Sequence, residues 1–161
     1  MSEQKDPQQK LDERKETKIA AKRKVMDIIA RREHSEAELR TKLHSKFADV
    51  EGGLEAIEEA ISYAKDKNWL EEPSALAYRL ADMLHLRNKG INYINGYLEE
   101  KGLPSIETDS ALELKKALAI VANKFDEDFK FSHEDKARVG RLLASRGFDS
   151  ETVRKVIYEK L

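Results

Sequence analysis

Basic side chains recur near the ends of the helices that this sequence predicts. Guanidinium and ammonium groups in such recurring positions suit contact with phosphate, an attraction that is long-ranged and weakens steeply with salt. Small helical units that carry them can also present a helix to DNA, as helix-turn-helix modules do. The alternative is that they are ordinary solvated residues that offset the negative ends of helix dipoles. The set comprises Arg31, Arg32, Arg40, Lys42, Arg87, Lys89, Arg138, Arg141 and Arg146.

The other reactive residue types form no catalytic or metal-binding pattern. The four histidines, His34, His44, His85 and His133, have no partners at ligand spacing, and His133-Glu134 lacks the second histidine of a zinc protease helix. The chain has no cysteine, no glycine-rich phosphate loop and no nucleophile motif. We therefore expect no enzymatic activity, no cofactor and no metal.

Composition and charge indicate a cytoplasmic protein with separated charge. The absence of cysteine fits a reducing compartment, and no apolar run approaches the ~20 residues of a membrane span. The net charge of −1 conceals blocks: residues 1–48 and 136–161 carry +4 each, whereas residues 49–73 carry −6. Such blocks can form basic and acidic faces, so nucleic acid stays open as a partner. The alternative is that exposed helix faces are charged in any protein.

Apolar residues take helical spacing from Ile19 onwards. The composition of the charged segment before Ile19 predicts either a flexible arm or a helix with no partner. Ser35 and Glu38 have the spacing of a capping box, and Leu39 and Leu43 follow on one face of the helix that it starts. Similar helices are expected to open at Pro104-Ser105, at Ser132 and at Ser150, which would act as caps in the last two cases. No segment shows the alternation of a strand.

A helix stop occurs twice, forty-five residues apart. Leu98 precedes Lys101-Gly102-Leu103, and Leu143 precedes Arg146-Gly147-Phe148. In each case an apolar helix face ends at a basic residue, followed by glycine and an apolar residue, which predicts a Schellman ending with the glycine in the left-handed conformation. A looser copy without glycine is expected around Phe47. One helical unit is therefore used three times, which indicates a repeat protein.

We predict an all-α protein of about nine helices, built as tandem three-helix repeats in an elongated, curved array. A flexible arm over residues 1–18 would precede repeats over residues 19–68, 69–112 and 113–161. The residues expected to hold these repeats together are Ser35, Glu38, Leu39, Leu43, Trp69, Leu98, Gly102, Leu143, Gly147 and Phe148.

The order of these segments resembles one family. His34–Leu43 is similar to the first-repeat signature of RecX regulatory proteins, in which a His or Tyr and a Ser or Thr precede Glu-Leu and Lys-Leu pairs. The resemblance covers about residues 20–160 and continues, in order, through Asn68–Glu72, Gly90–Leu98, Lys101–Leu103 and Arg146–Phe148.

Five positions depart from the usual pattern of that family. Asn68 and Trp69 stand where a glycine and a tyrosine are usual, and Ile91 stands where a proline is usual. Ser74 and Ala75 replace a basic residue and an aromatic residue. The chain would thus be a divergent member.

The resemblance implies a non-enzymatic modulator of RecA, the recombinase that polymerises on single-stranded DNA, and we expect the protein to be a monomer. Such proteins are thought to lie along the groove of the RecA filament and to inhibit strand exchange, ATPase and coprotease activity; some also contact single- or double-stranded DNA. A stand-alone nucleic-acid binder with helix-turn-helix-like repeats and a helical-repeat adaptor for another protein are the alternatives. We expect no membrane partner, and the residues expected to contact RecA or DNA are Arg40, Lys42, Arg87, Lys89, Arg138, Arg141 and Arg146.

Overall fold

The computed structural model describes residues 4–161, which contain helices and no strand. The all-α prediction is therefore confirmed for this range. The chain divides into two compact units: unit 1 ends at Pro73, and unit 2 runs from Ser74 to Leu161. The helices are α1 (Pro7–Arg31), α2 (Glu36–Phe47), α3 (Gly53–Asp66), α4 (Pro73–Leu86), α5 (Ile91–Glu100), α6 (Ser110–Lys124), α7 (His133–Ser145) and α8 (Ser150–Lys155), with a π-helical turn at Val156–Lys160.

Helices α1, α2 and α3 enclose the core of unit 1. Val25, Leu39 and Ile57, one from each helix, are fully buried in the same cluster, to which Leu43 and Phe47 also belong. Burying an aliphatic side chain of this size stabilises a fold by about 1.5–3 kcal/mol, so this core is what fixes the three helices against one another.

The beginning of α1 differs from the expected flexible arm over residues 1–18. Asp6 caps the helix in a capping box, and residues 7–18 form its first turns. Two ion pairs hold this part of α1, one from Arg14 to Glu51 in the turn before α3 at 2.9 Å and one from Lys18 to Glu59 within α3 at 3.0 Å. Their partners lie more than thirty residues away, which is why the local sequence could not predict them. Residues 1–3 of the expected arm lie outside the described range.

Unit 2 contains two hydrophobic clusters. The first gathers side chains of α4, α5 and the segment after α5, among them Leu98 and Leu103. The second gathers α6, α7, α8 and the turn between α7 and α8, including Leu143 and Phe148. With the core of unit 1, these clusters number three, and the buried residues of each lie within one expected repeat. Trp69 and Leu70, which were expected in the second repeat, nevertheless pack against the core of unit 1. The repeat boundaries stay a prediction.

Two local expectations in unit 2 are wrong. Residues 104–109 do not begin a helix; the Asn95 side chain instead holds the backbone of Ile106 through bonds of 2.9 and 3.2 Å. The cap of α8 is Asp149 and not Ser150, because the Asp149 carboxylate accepts a hydrogen bond from the Thr152 amide at 2.9 Å. The described range thus has eight α-helices and a π-helical turn, close to the nine helices expected.

The predicted Schellman endings are present at both glycines. Gly102 and Gly147 have φ values of 67° and 91°, and the amides of Leu103 and Phe148 donate to the carbonyls of Leu98 and Leu143. These are the bonds from the residue after the glycine to the carbonyl five positions back that define the motif.

Two further helices end in the same way with asparagine in place of glycine. Asn68 and Asn88 both have a φ of 56°, and the amides of Trp69 and Lys89 donate to Ala64 and Leu84. Asparagine tolerates the left-handed region better than other residues with a side chain. The helix ending expected around Phe47 is present, since α2 ends at this residue, but it is not a Schellman ending, because the following residue, Ala48, keeps a right-handed helical conformation.

Candidate interaction surfaces

Two backbone segments of unit 2 meet at the end of α7. The Gly90 amide donates to the Arg146 carbonyl at 2.9 Å, and the Asn92 amide donates to the Gly147 carbonyl at 2.8 Å. We call this contact the junction, formed by residues 90–92 and 146–147. A Cβ atom on Gly90 would lie 2.2 Å from the carbonyl carbon of Gly147, so the backbones can approach this closely only because position 90 has no side chain.

The junction brings sequence-predicted basic residues onto neighbouring stretches of backbone. Lys89 directly precedes Gly90, and its ammonium group lies 4.7 Å from the centre of the Tyr93 ring. Arg146 supplies the carbonyl of one junction bond and has an exposed side chain, as does Arg87 at the end of α4. Three of the seven candidate contact residues therefore flank the junction.

The two remaining candidates of unit 2 lie on α7, the helix that ends at the junction. Arg138 and Arg141 are both exposed. The guanidinium group of Arg138 lies 4.0 Å from the Glu134 carboxylate, the outer limit of an ion pair, so that this pairing is weak. Both residues place positive charge on the exposed side of α7.

A buried ion pair supports the junction. Glu113 and Lys116 of α6 have side-chain exposures of 0% and 3%, and their carboxylate and ammonium groups are in direct contact. The second carboxylate oxygen of Glu113 accepts the Ile91 amide at 3.0 Å, and the Lys116 ammonium donates to the Lys89 carbonyl at 2.6 Å. The pair thus holds the backbone on both sides of Gly90.

His85 completes this buried network. Its Nδ1 lies 2.8 Å from the Lys116 ammonium and accepts a hydrogen bond from it, which requires a neutral imidazole with a free lone pair at that atom. Burial, and next the charge of Lys116, lower the pKa of His85. The sequence did not predict this network, because a Glu and a Lys three positions apart usually mark an exposed helix face.

In unit 1 the candidate Arg40 is engaged within the fold. Its guanidinium group contacts the Glu58 carboxylate and lies 3.3 Å from that of Glu36, which also binds Lys65 at 2.9 Å. The Glu58 carboxylate raises the pKa of Arg40, and the Lys65 ammonium holds the pKa of Glu36 below its usual value. Arg40 therefore links α2 to α3 and is less suited to contact a partner.

The other candidate of unit 1, Lys42, projects into a basic groove. The Nε2 atom of the buried His34 lies 2.6 Å from its ammonium group. The groove has a volume of about 600 Å³, and no carboxylate of the described residues lines it. Its lining residues, several of them basic residues of α1 and α2, are Lys24, Ile28, Arg31, Arg32, His34, Lys42, Ser45 and Lys46.

Within the described residues, none of the helices is both long enough and apolar enough to cross a membrane.

Comparison with known proteins gives consistent matches, although no protein-family model matches the chain. The regulatory protein RecX of Leptothrix cholodnii is 31% identical over 86% of this chain and 88% of its own length. The regulatory protein RecX of Yersinia enterocolitica is 25% identical over 83% of this chain and 93% of its own length.

A solved structure shares the fold. The crystal structure of RecX from Lactobacillus salivarius superposes with a TM-score of 0.69 at 18% identity, over 89% of this chain and 96% of that one. The junction glycines, the capped α2 and the repeated helix endings thus occur in a chain whose sequence matches RecX proteins over most of their length. This chain belongs to the RecX family of regulatory proteins.

Proposed function

We propose that this chain binds the RecA filament on single-stranded DNA and inhibits its recombinase, ATPase and coprotease activities. It acts as a monomer and through binding only, without catalysing a reaction. The observation that carries the proposal is the junction, which places Arg87, Lys89 and Arg146 around one fixed backbone contact in a chain of the RecX family.

The junction offers a partner a prearranged basic surface. Its two backbone bonds and the buried pair of Glu113 and Lys116 fix the positions of residues 89–92 and 146–147 before any partner binds. Less conformational entropy is lost on binding when the contacting backbone is already ordered. The positive charges of Arg138 and Arg141 extend this surface along α7. Positive charge would accelerate association with a filament that carries phosphate groups.

The proposal is tested by removing the charges of the junction. The variant Arg87→Gln/Lys89→Gln/Arg146→Gln retains both junction glycines, and its binding to RecA filaments on oligo(dT) is measured by fluorescence anisotropy of the labelled protein. We expect about tenfold weaker binding or more and a shallower dependence on salt.

The matched control removes three exposed positive charges elsewhere in unit 2, at Lys115, Lys130 and Arg154. It should bind as the unaltered protein does. Equal loss in both variants would show that only overall charge matters, and it would contradict the assignment of the junction. Absence of binding by the unaltered protein would overturn the proposal and favour an adaptor for a different protein.

A further inference from the structure

We propose that the basic groove between α1 and α2 is a binding site for two or more neighbouring phosphate groups. Such groups occur in free oligophosphates and in the backbone of nucleic acids, and both present the same closely spaced oxyanions. This site lies in unit 1, whereas the proposed RecA contact lies in unit 2, so the two proposals stand on different residues.

The lining of the groove is strongly positive. Five of its lining residues are cationic, Lys24, Arg31, Arg32, Lys42 and Lys46, and none is a carboxylate in the described part of the chain. Arg32 alone of these five has a carboxylate partner given by the structure, Glu38, at 3.1 Å. Like charges held close together repel one another, so a concave cluster of this composition is stabilised by an anion that fills it.

Compensation of helix dipoles explains only part of the cluster. Arg31 and Lys46 lie in the last turns of α1 and α2, where positive charge is favourable without any ligand. Lys24 and Lys42 lie outside those turns, yet their side chains face the same groove. Their convergence is therefore the feature that indicates a ligand.

His34 orients one of these charges without cancelling it. Its Nδ1 lies 2.8 Å from the Arg32 carbonyl, which can only accept, so Nδ1 carries the proton. The lone pair of Nε2 then accepts from the Lys42 ammonium at 2.6 Å. A neutral imidazole thus fixes the position of Lys42 and leaves two of its three N–H donors for an anion. A carboxylate in this place would have neutralised the charge.

The size of the groove suits a compact polyanion. Its volume of about 600 Å³ lies in the range of small-ligand sites. The guanidinium groups of Arg31 and Arg32 can bind phosphate oxygens in pairs, while the lysine ammonium groups act as point charges. The aliphatic side chain of Ile28 also lines the groove.

Binding is tested with the full-length protein, without RecA. Isothermal titration calorimetry with sodium tripolyphosphate at low salt measures the affinity of the groove. The variant Lys24→Gln/Lys42→Gln should bind about tenfold more weakly or worse, because charge-assisted contacts are lost. The control Lys10→Gln/Lys15→Gln removes two exposed positive charges from the other end of α1 and should bind as before. A second pair, Arg31→Gln/Lys46→Gln, gives an independent readout if the first variant unfolds.

A competition arm distinguishes the sources of phosphate. In this experiment tripolyphosphate competes with labelled oligo(dT) for the protein. If tripolyphosphate displaces oligo(dT), and the groove variants weaken the binding of both ligands, the nucleic-acid backbone is a ligand of the groove. Tripolyphosphate binding without oligo(dT) binding at the groove would identify a free oligophosphate. No tripolyphosphate binding, or equal affinity in groove and control variants, would overturn the proposal and leave the RecA proposal untouched.

Discussion

Replacement of Gly90 by alanine should separate the two backbone segments of the junction. The φ of Gly90 is −75°, which alanine adopts without strain, so that the effect comes from the contact with its neighbour. The new Cβ would lie 2.2 Å from the Gly147 carbonyl carbon and 2.3 Å from the Phe148 nitrogen. Both atoms belong to backbone, which cannot rotate away as a side chain can.

The magnitude follows from the bonds that would break. The Gly90 amide is buried, so losing the Arg146 carbonyl leaves it without a partner at a cost of about 1–3 kcal/mol. The exposed Asn92 amide can bind water instead, and its loss costs about 0.5–1 kcal/mol. We therefore expect Gly90→Ala to lower the free energy of unfolding by about 1.5–4 kcal/mol.

Urea unfolding followed by circular dichroism measures this change, and the same helix provides a control. A Cβ on Gly96 would meet no atom within 4 Å, so Gly96→Ala in α5 should stabilise the protein by about 0.5–1 kcal/mol. Two substitutions six residues apart thus have opposite predicted signs. If Gly90→Ala is as stable as the unaltered protein, the close backbone contact at the junction does not exist.

Three further outcomes are expected in unfolding experiments. Lys116→Met leaves the buried Glu113 carboxylate without its cation and should cost about 3–5 kcal/mol; a loss below ~1 kcal/mol in urea titrations would contradict the buried pair. Gly147→Ala forces alanine to a φ of 91° against Tyr93 and should cost at least about 1 kcal/mol, seen as a lower Tm; an unchanged Tm would refute the left-handed ending. Burial lowers the pKa of His34 and of His85, so the unfolded chain binds more protons and stability should fall as the pH drops below about 6.5; a urea midpoint that stays constant between pH 7 and pH 5 would contradict this.

Local features of the fold were predictable because their causes lie within a few residues. The capping box of Ser35 and Glu38 and the left-handed endings at Gly102 and Gly147 each depend on a short pattern, and all are present. The endings at Asn68 and Asn88 were missed because asparagine is a weaker signal than glycine. Asn68, which stands where the resemblance places a glycine, has a φ of 56°, in the left-handed region that glycine adopts most easily.

The buried contacts that support the junction could not be predicted from the sequence. The Ile91 amide, which a proline in this place would lack, binds Glu113 twenty-two residues later, and His85 binds Lys116 thirty-one residues later. Contacts over such separations follow from packing and leave no local pattern. The sequence analysis singled out three of the basic residues that line the groove, Arg31, Arg32 and Lys42, whereas Lys24 and Lys46 were not in that set.

Titration of RecA with this protein, followed by the single-stranded-DNA-dependent ATPase activity of RecA, tests whether the protein acts on the filament. Inhibition at well below one molecule per RecA protomer is the predicted result, and it should weaken in the variant Arg87→Gln/Lys89→Gln/Arg146→Gln. Unchanged ATPase activity at an excess of this protein over RecA would contradict the account.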